Sequence, residues 1–539
     1  MASCAQAIAT TLKESGVQRI FGLPGGEILD LIEACRQVGI DFILTRHEST
    51  AGFMADVTGQ ITRRPGVCAS TVGPGATNLV SGVANAYLDR SPVLAFSAQL
   101  ATSFYKYSPH QRLNLTALFK PVTKWSGEIS GKDTAALIKK AIATTTAPRP
   151  GSVHMSLPSD IAKKEELASS GGGEPWQGKG EPRAAGDDIR KIAGEIGKSE
   201  YPVVIVGIGV DPRETQEPIQ DFIEKTGIPA MVTPKAKGVI PDDHPLFLGT
   251  AGGMAGDGLF LELLDKVDVL VGIGFDPVES DKIWHIEQRV ISIDTASIKD
   301  DHYTPYMEKI GRVDGILEDL NQMVTPNHKW AEKEIVSFRT RLERAMRPRD
   351  RSSQRGLSPY HIAQTMRHIL PPESIVTVDV GAHKLLFGQI WKTYLPLTFF
   401  ISNGLSSMGY GFPAAMAAKL EFPGRPVVCV AGDGGFSMMI HDLETAVRLG
   451  LPVIAVVLSD ASLALIECVQ AKRGLPSYGV GFGKVDFARI AQGFGANGVR
   501  VSSFREFEVA LQEALRAQGP TVIDVAIDPG EYRYQISAY

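Results

Sequence analysis

Short apolar runs recur along this chain, each ended by glycine, proline or a charged residue and each followed by a stretch with helical spacing. VQRIFGLP, DFILTRHE, GVCASTVGPG and SPVLAFSAQ set the pattern, with segments such as ILDLIEACRQV between them. Strands alternating with helices predict a parallel sheet covered on both faces. This first block closes near SVHMSLPSDI and is expected to span 1–165. SSGGGEPWQGKGEPRAAGDD then carries too much glycine, proline and charge to fill a core, which predicts a surface linker over 166–187. A second block, 188–325, holds PVVIVGIG, GIPAMVTP, DVLVGIGFD and RVISIDTA. The charged helical stretch NHKWAEKEIVSFRTRLERAMRPRDRSSQRG, 326–355, leads into a third block, 356–539. That block holds IVTVDVG, RPVVCVAGDG, LPVIAVVLSD and PTVIDVAI. The expected fold class is α/β, with three doubly wound parallel-sheet domains of which the central one is Rossmann-like. The first and third blocks share size and pattern, which hints at a duplication.

Composition narrows the partners. Of 539 residues, 44% are hydrophobic and 21% charged, an ordinary globular balance, and the length suits about three or four domains. A net charge of −5 argues against a nucleic-acid partner, which calls for a basic face. Nothing reaches the ~18 apolar residues of a membrane span, and MASCAQAIATTLKESGVQ reads as a helix rather than a signal peptide. No membrane partner and a cytoplasmic location are therefore expected. Cys4, Cys35, Cys68, Cys429 and Cys468 lack CxxC spacing, so reduced core thiols are expected rather than a zinc site.

The chemistry begins at AGDGGFSMMIHDLETAVRLGLPVIAVVLSDAS. An apolar strand breaks into a glycine-rich turn at Gly432, Asp433, Gly434 and Gly435, then a helix follows. Glycines let backbone approach a phosphate, and a helix start favours an anion. Asp460 ends the next apolar strand, 27 positions after Asp433, and ligands of open α/β sheets bind at such strand ends. Asp433, Asp460, the main-chain carbonyl of Ser462, two diphosphate oxygens and a water would complete the octahedron that magnesium requires. The plainer alternative is a glycine turn with a helix cap.

With its second ligand in place, this arrangement resembles the diphosphate–magnesium signature of thiamin-diphosphate enzymes, whose pattern ends in Asn-Asn where this chain has Ser459-Asp460. The resemblance extends over the whole length. It implies that Glu48, in TRHESTAGFMADV, is the carboxyl beside the aminopyrimidine ring, and that Gly73, Pro74, Gly75 and Asn78 form the GPG-x-TN stretch near the pyrimidine. FGLPGG, with Gly25 and Gly26, is similar to the early cofactor-contact loop. DVGAHKLLF places Gly381, Ala382 and His383 at the diphosphate. NGLSSMGYGF places Ser406 beneath the cofactor and makes Met408 the bulky residue that bends it. The implied domains are pyrimidine-binding, central and diphosphate-binding. The implied cofactors are thiamin diphosphate and Mg2+. The implied assembly is a homodimer or homotetramer with its active site across the dimer interface.

AQLATSFYKYSPHQRLNLTALFKPVTKW resembles the acetolactate synthase branch through Gln99, Gln111, Thr123, Lys124 and Trp125. Departures fall where substrate chemistry is decided. His110 and Arg112 replace the branch's phenylalanine and glutamate, and Val469 stands at its tryptophan, removing a rigid wall. The implied function is carbon–carbon bond formation or cleavage on pyruvate-like 2-oxo acids through an enamine. Gln111 would bind the reacting species and His110 would deliver a proton to it; Lys120 is either a carboxylate anchor or a solvated lysine. The branch also binds FAD through an RFDDR-like stretch; here GIGFDPVES puts Gly274 at the arginine position, so FAD stays open and doubtful. A 2-oxo acid decarboxylase and a 2-hydroxyacyl-CoA or benzaldehyde-type lyase are the alternatives. A nicotinamide dehydrogenase would need a GxGxxG that VVIVGIGVDP lacks, and a scaffold on a decayed fold would need Glu48 or GDG to be missing.

Overall fold

A computed structural model describes residues 2–107, 109–167, 186–279, 288–299, 303–349 and 356–536. Most of the expected linker, 168–185, lies outside the described residues. Three parallel six-stranded sheets carry the fold. The first comprises β1 (Arg19–Leu23), β2 (Asp41–Leu44), β3 (Gly66–Ser70), β4 (Val93–Gln99), β5 (Trp125–Glu128) and β6 (Ser152–Pro158), in the order β2-β1-β3-β4-β6-β5. The second comprises β7 (Pro202–Val206), β8 (Ala230–Val232), β9 (Phe247–Thr250), β10 (Val269–Ile273), β11 (Arg289–Asp294) and β12 (Met307–Ile310), in the order β12-β11-β10-β7-β8-β9. The third comprises β13 (Ile375–Val378), β14 (Phe399–Ile401), β15 (Val427–Gly432), β16 (Val453–Ser459), β17 (Asn497–Val501) and β18 (Thr521–Ala526), in the order β14-β13-β15-β16-β18-β17. The first and third sheets therefore share one topology, and the α/β fold class holds.

The interior strands form because both faces are covered. In VVCVAG and VIAVVLS every position short of the last is buried, as continuous valine-rich runs in a parallel sheet require. Strand order reverses between β1 and β3, between β7 and β10, and between β13 and β15. Each reversal opens a crevice at the carboxyl ends, where ligands of such sheets bind.

By internal contacts the chain divides into two compact units. One is Met1–Gly180 with Gly404–Pro423 and Met438–Leu451; the other is Glu181–Asn403 with Gly424–Ser437 and Pro452–Tyr539. No helix among the described residues is long and apolar enough to cross a membrane.

Candidate active site

In the first unit, β2 runs into His47, whose ring Nδ1 accepts from the Ser49 N–H at 3.1 Å and caps the helix Glu48–Thr62. Small residues let this helix press against the helix Pro74–Leu88: a Cβ on Gly52 would lie 2.7 Å from Gly82 Cα. The close approach sets Glu48 beside Asn78. Asn78 Nδ2 donates to Glu48 Oε2 at 3.0 Å, and Ser49 Oγ donates to the Asn78 carbonyl at 2.8 Å. Glu48 is only 3% exposed, so one carboxylate oxygen is bound and the whole group is shielded from water.

The GPG turn frames the same place. Gly73 turns at φ +62°, Pro74 starts its helix, and a Cβ on Gly75 would sit 3.2 Å from Glu48 Oε1. Gln111 has a left-handed backbone at φ +56°, and its Cβ lies 3.1 Å from where a Gly73 Cβ would stand. Non-glycine residues held there store strain that clusters at functional sites. His110 and Arg112 are exposed, with the Arg112 guanidinium 5.9 Å from the Tyr105 ring centre. At the β1–β3 crevice a Cβ on Gly25 would reach within 2.1 Å of Thr71 Oγ1, while Gly26 faces open space. Thr71 Oγ1 donates to Glu27 Oε2 at 2.9 Å, a pair that stands in no motif. Gly404 donates to Asp89 Oδ1 at 2.7 Å and anchors the segment bearing exposed Ser406, at φ +55°, and half-buried Met408.

In the second unit, β15 delivers Asp433 and β16 delivers Asp460. Asp433 is 4% exposed and fully engaged. Its Oδ1 accepts from the Gly434 N–H at 2.8 Å, and its Oδ2 accepts from Asp460 at 3.0 Å and Ala461 at 2.7 Å. Ala461 takes φ +59° to present its N–H there. Asp460 Oδ1 accepts from the Ser462 N–H at 2.9 Å. Burial, then the negative Asp433 beside it, pushes the Asp460 carboxyl up to about 7. Burial also raises Asp433. A like charge adds to burial at each: Asp433 acts on Asp460, and Asp524 acts on Asp433.

Other polar atoms face the same ends of β13, β15 and β16. The Ser462 hydroxyl is buried without a well-aligned hydrogen bond and lies close enough to the Asp460 carboxyl to lower it, which adds its side chain to the expected carbonyl. His383 packs against both glycine turns: a Cβ on Gly381 would lie 2.7 Å from its Cε1, and one on Gly432 3.2 Å. Its Nε2 is buried and unpartnered, while the Asp379 main chain takes the ring's other hydrogen bond. Burial lowers His383 to about 4, so the ring is neutral near neutral pH. Ala382 opens the helix Ala382–Ile390, and a Cβ on Gly435 would meet Asp379 Oδ2 at 2.5 Å. Tyr532, near the chain end, was not singled out by sequence. Its hydroxyl is buried without a partner, and its pKa is raised by burial and then by the Asp460 charge.

These donors fit an anion held through a cation. Among the described residues no group of three or more His, Cys, Asp or Glu is arranged for a metal. A cation on Asp433 and Asp460 would therefore take its remaining oxygens from neutral groups and from a ligand, as magnesium does with phosphates.

The chain matches three family descriptions in order. Residues 2–118 match "Thiamine pyrophosphate enzyme, N-terminal TPP binding domain", residues 189–320 the central domain, and residues 379–525 the "C-terminal TPP binding domain". The chain belongs to the thiamine pyrophosphate enzymes. Among relatives of this family, the acetolactate synthase of Bacillus subtilis is 32% identical over 97% of this chain and 93% of its own length. A probable acetolactate synthase large subunit of Methanocaldococcus jannaschii is 31% identical over 98% and 92%. The acetolactate synthase isozyme 3 large subunit of Escherichia coli is 30% identical over 99% and 96%. The protein is thus a thiamine pyrophosphate-dependent enzyme of the acetolactate synthase type.

Proposed function

We propose that this enzyme uses thiamin diphosphate with Mg2+ to join the decarboxylated remnant of a pyruvate-like 2-oxo acid to a second carbonyl compound. The observation that carries the reading is the pair of buried Asp433 and half-buried Asp460, beside the Ser462 hydroxyl and the unpartnered His383 Nε2. Asp433, Asp460 and Ser462 would hold the metal. His383 and the turns at Gly381, Ala382, Gly432, Gly434 and Gly435 would receive the diphosphate, because their small side chains and main-chain N–H groups leave room for an anion. Gly25, Gly26, Pro74, Ser406 and Met408 would shape the seat of the ring system. Glu48, oriented by Asn78, would hold a proton at the aminopyrimidine ring nitrogen. When bound, the thiazolium supplies an electron sink for the carbanion left by loss of carbon dioxide. Gln111 would donate its amide to the reacting carbonyl, and His110 would deliver a proton. The domains are proposed as 1–165, 188–325 and 356–539.

We assign the working unit to a homodimer or homotetramer, with the Glu48 side of one protomer completed by the Asp433 side of another. Two of the relatives are called large subunits, so a regulatory subunit is a further partner to test. Five unpaired cysteines suit a reducing, cytoplasmic setting.

Purified enzyme supplied with thiamin diphosphate, magnesium and pyruvate, with and without added aldehydes, tests the reading by product identification. Acetolactate supports it. Aldehyte as sole product would instead make the enzyme a decarboxylase, and cleavage of a 2-hydroxyacyl thioester would make it a lyase.

A further inference from the structure

The central sheet reverses its strand order between β7 and β10. A dinucleotide would lay its diphosphate there, over the turn after β7 and against the start of the helix Pro212–Thr226. Such a seat needs main-chain N–H groups that have no other acceptor. In this chain they are already donated. Gly207 gives its N–H to Ile273 O at 3.0 Å, Gly209 to Gly274 O at 2.7 Å, and Val210 to Gly207 O at 3.4 Å. Ile208 gives its N–H to Glu279 Oε2 at 2.8 Å. At the helix start, Asp211 accepts from the Arg213 N–H at 3.1 Å and from the Arg213 guanidinium at 2.9 and 2.7 Å.

Glu279 is held in that place. It is 3% exposed. Thr233 Oγ1 donates to Oε2 at 2.7 Å and the Lys235 N–H to Oε1 at 3.3 Å. The Lys235 ammonium, which could have met a phosphate, donates to the Ile401 carbonyl at 3.1 Å. Asp294 closes the other wall: a Cβ on Gly209 would lie 2.7 Å from its Oδ2. Burial first, and then the nearby Asp276 charge, raises both Glu279 and Asp294, so a diphosphate would meet three acids. Gly274 stands where the family resemblance expects a flavin-contacting arginine. It turns at φ +59°, and its Cβ would be 2.6 Å from Val210 N, so this backbone accepts no side chain there.

The residues present do not fit FAD, and we infer that the central domain is closed to a flavin dinucleotide because Glu279 and the Gly274 carbonyl fill its diphosphate seat. This goes beyond the thiamin reading, involves a different domain and stands independently of it. The test titrates FAD and ADP into enzyme saturated with thiamin diphosphate and magnesium, which blocks the other diphosphate site. Flavin fluorescence and equilibrium dialysis are the readouts. The wild type is expected to bind neither saturably and to carry no visible flavin absorbance when prepared with FAD present. Stoichiometric flavin in the wild type would overturn the inference. Glu279→Ala frees the Ile208 N–H and is expected to gain at least tenfold in ADP affinity over wild type; a folded variant showing no gain would overturn the role given to Glu279. Should that variant not fold, the wild-type titration decides alone.

Discussion

Asp460 is where this chain parts from the asparagine of the family signature, and Asp460→Asn isolates what the extra charge does. The amide keeps an oxygen to accept the Ser462 N–H and to meet a cation, but removes the repulsion with Asp433. Raising a carboxyl from 3.8 to about 7 corresponds to about 4 kcal/mol, reduced to ~2 kcal/mol by the solvent access of a half-buried group. The unfolded carboxyl ionises near 3.8 and the folded one near 7. The cost is therefore absent below the lower value, grows as pH rises between them, and is full above the upper. Because the Asp433 charge adds to burial in raising Asp460, the two carboxyls titrate as a pair. Denaturant unfolding of the metal- and cofactor-free protein is the assay. The variant is expected to be more stable than wild type by ~2 kcal/mol at about pH 8 and equal to it at about pH 4. Magnesium should then raise thiamin diphosphate affinity more in the wild type than in the variant, since only the wild type needs a cation to screen two carboxylates from the anion. Equal stability at the higher pH, or an unchanged dependence of cofactor affinity on metal, would refute the reasoning.

Glu48→Gln removes the acid and keeps the bond from Asn78, so kcat should fall by ~10²–10⁴-fold with little change in cofactor affinity. Random mixing of Glu48→Gln with Asp433→Ala should recover about a quarter of wild-type activity, because half the dimers are mixed and each holds one whole site; no recovery would place both halves of the site on one chain. His110→Phe should shift products from aldehyde towards ligation, read by chromatography at matched turnover. Gly435→Ala drives a methyl against Asp379 Oδ2; it should cost ~1–3 kcal/mol in unfolding and weaken cofactor retention.

The strands that were legible in the sequence and those that were not divide by position in the sheet. Apart from interior β6, whose SVHMSLPSDI reads only as the close of the first block, the strands not anticipated are β5, β9, β12, β14 and β17, and all five are edge strands. They read WSGE, FLGT, MEKI, FFI and NGVRV: short, or half polar, because an edge is paired on one side and needs no continuous apolar run. Of the edges only β2, DFIL, was anticipated. The chemistry, by contrast, sits at the ends of strands that were read. Glu48 follows β2, the GPG turn follows β3, His383 follows β13, and Asp433 and Asp460 close β15 and β16. In a doubly wound sheet the switch point is flanked by the most buried strands, so the most readable segments point at the ligand. What stayed hidden is what the fold brings in from elsewhere. Glu279 reaches an amide 71 residues away, and Tyr532 comes to the acid pair from the far end of the chain. Neither stands in a motif. A central domain that spends its own carboxyl on its own amides therefore reads, in sequence, like one that would spend them on a ligand, and only the donor-by-donor accounting of hydrogen bonds separates the two.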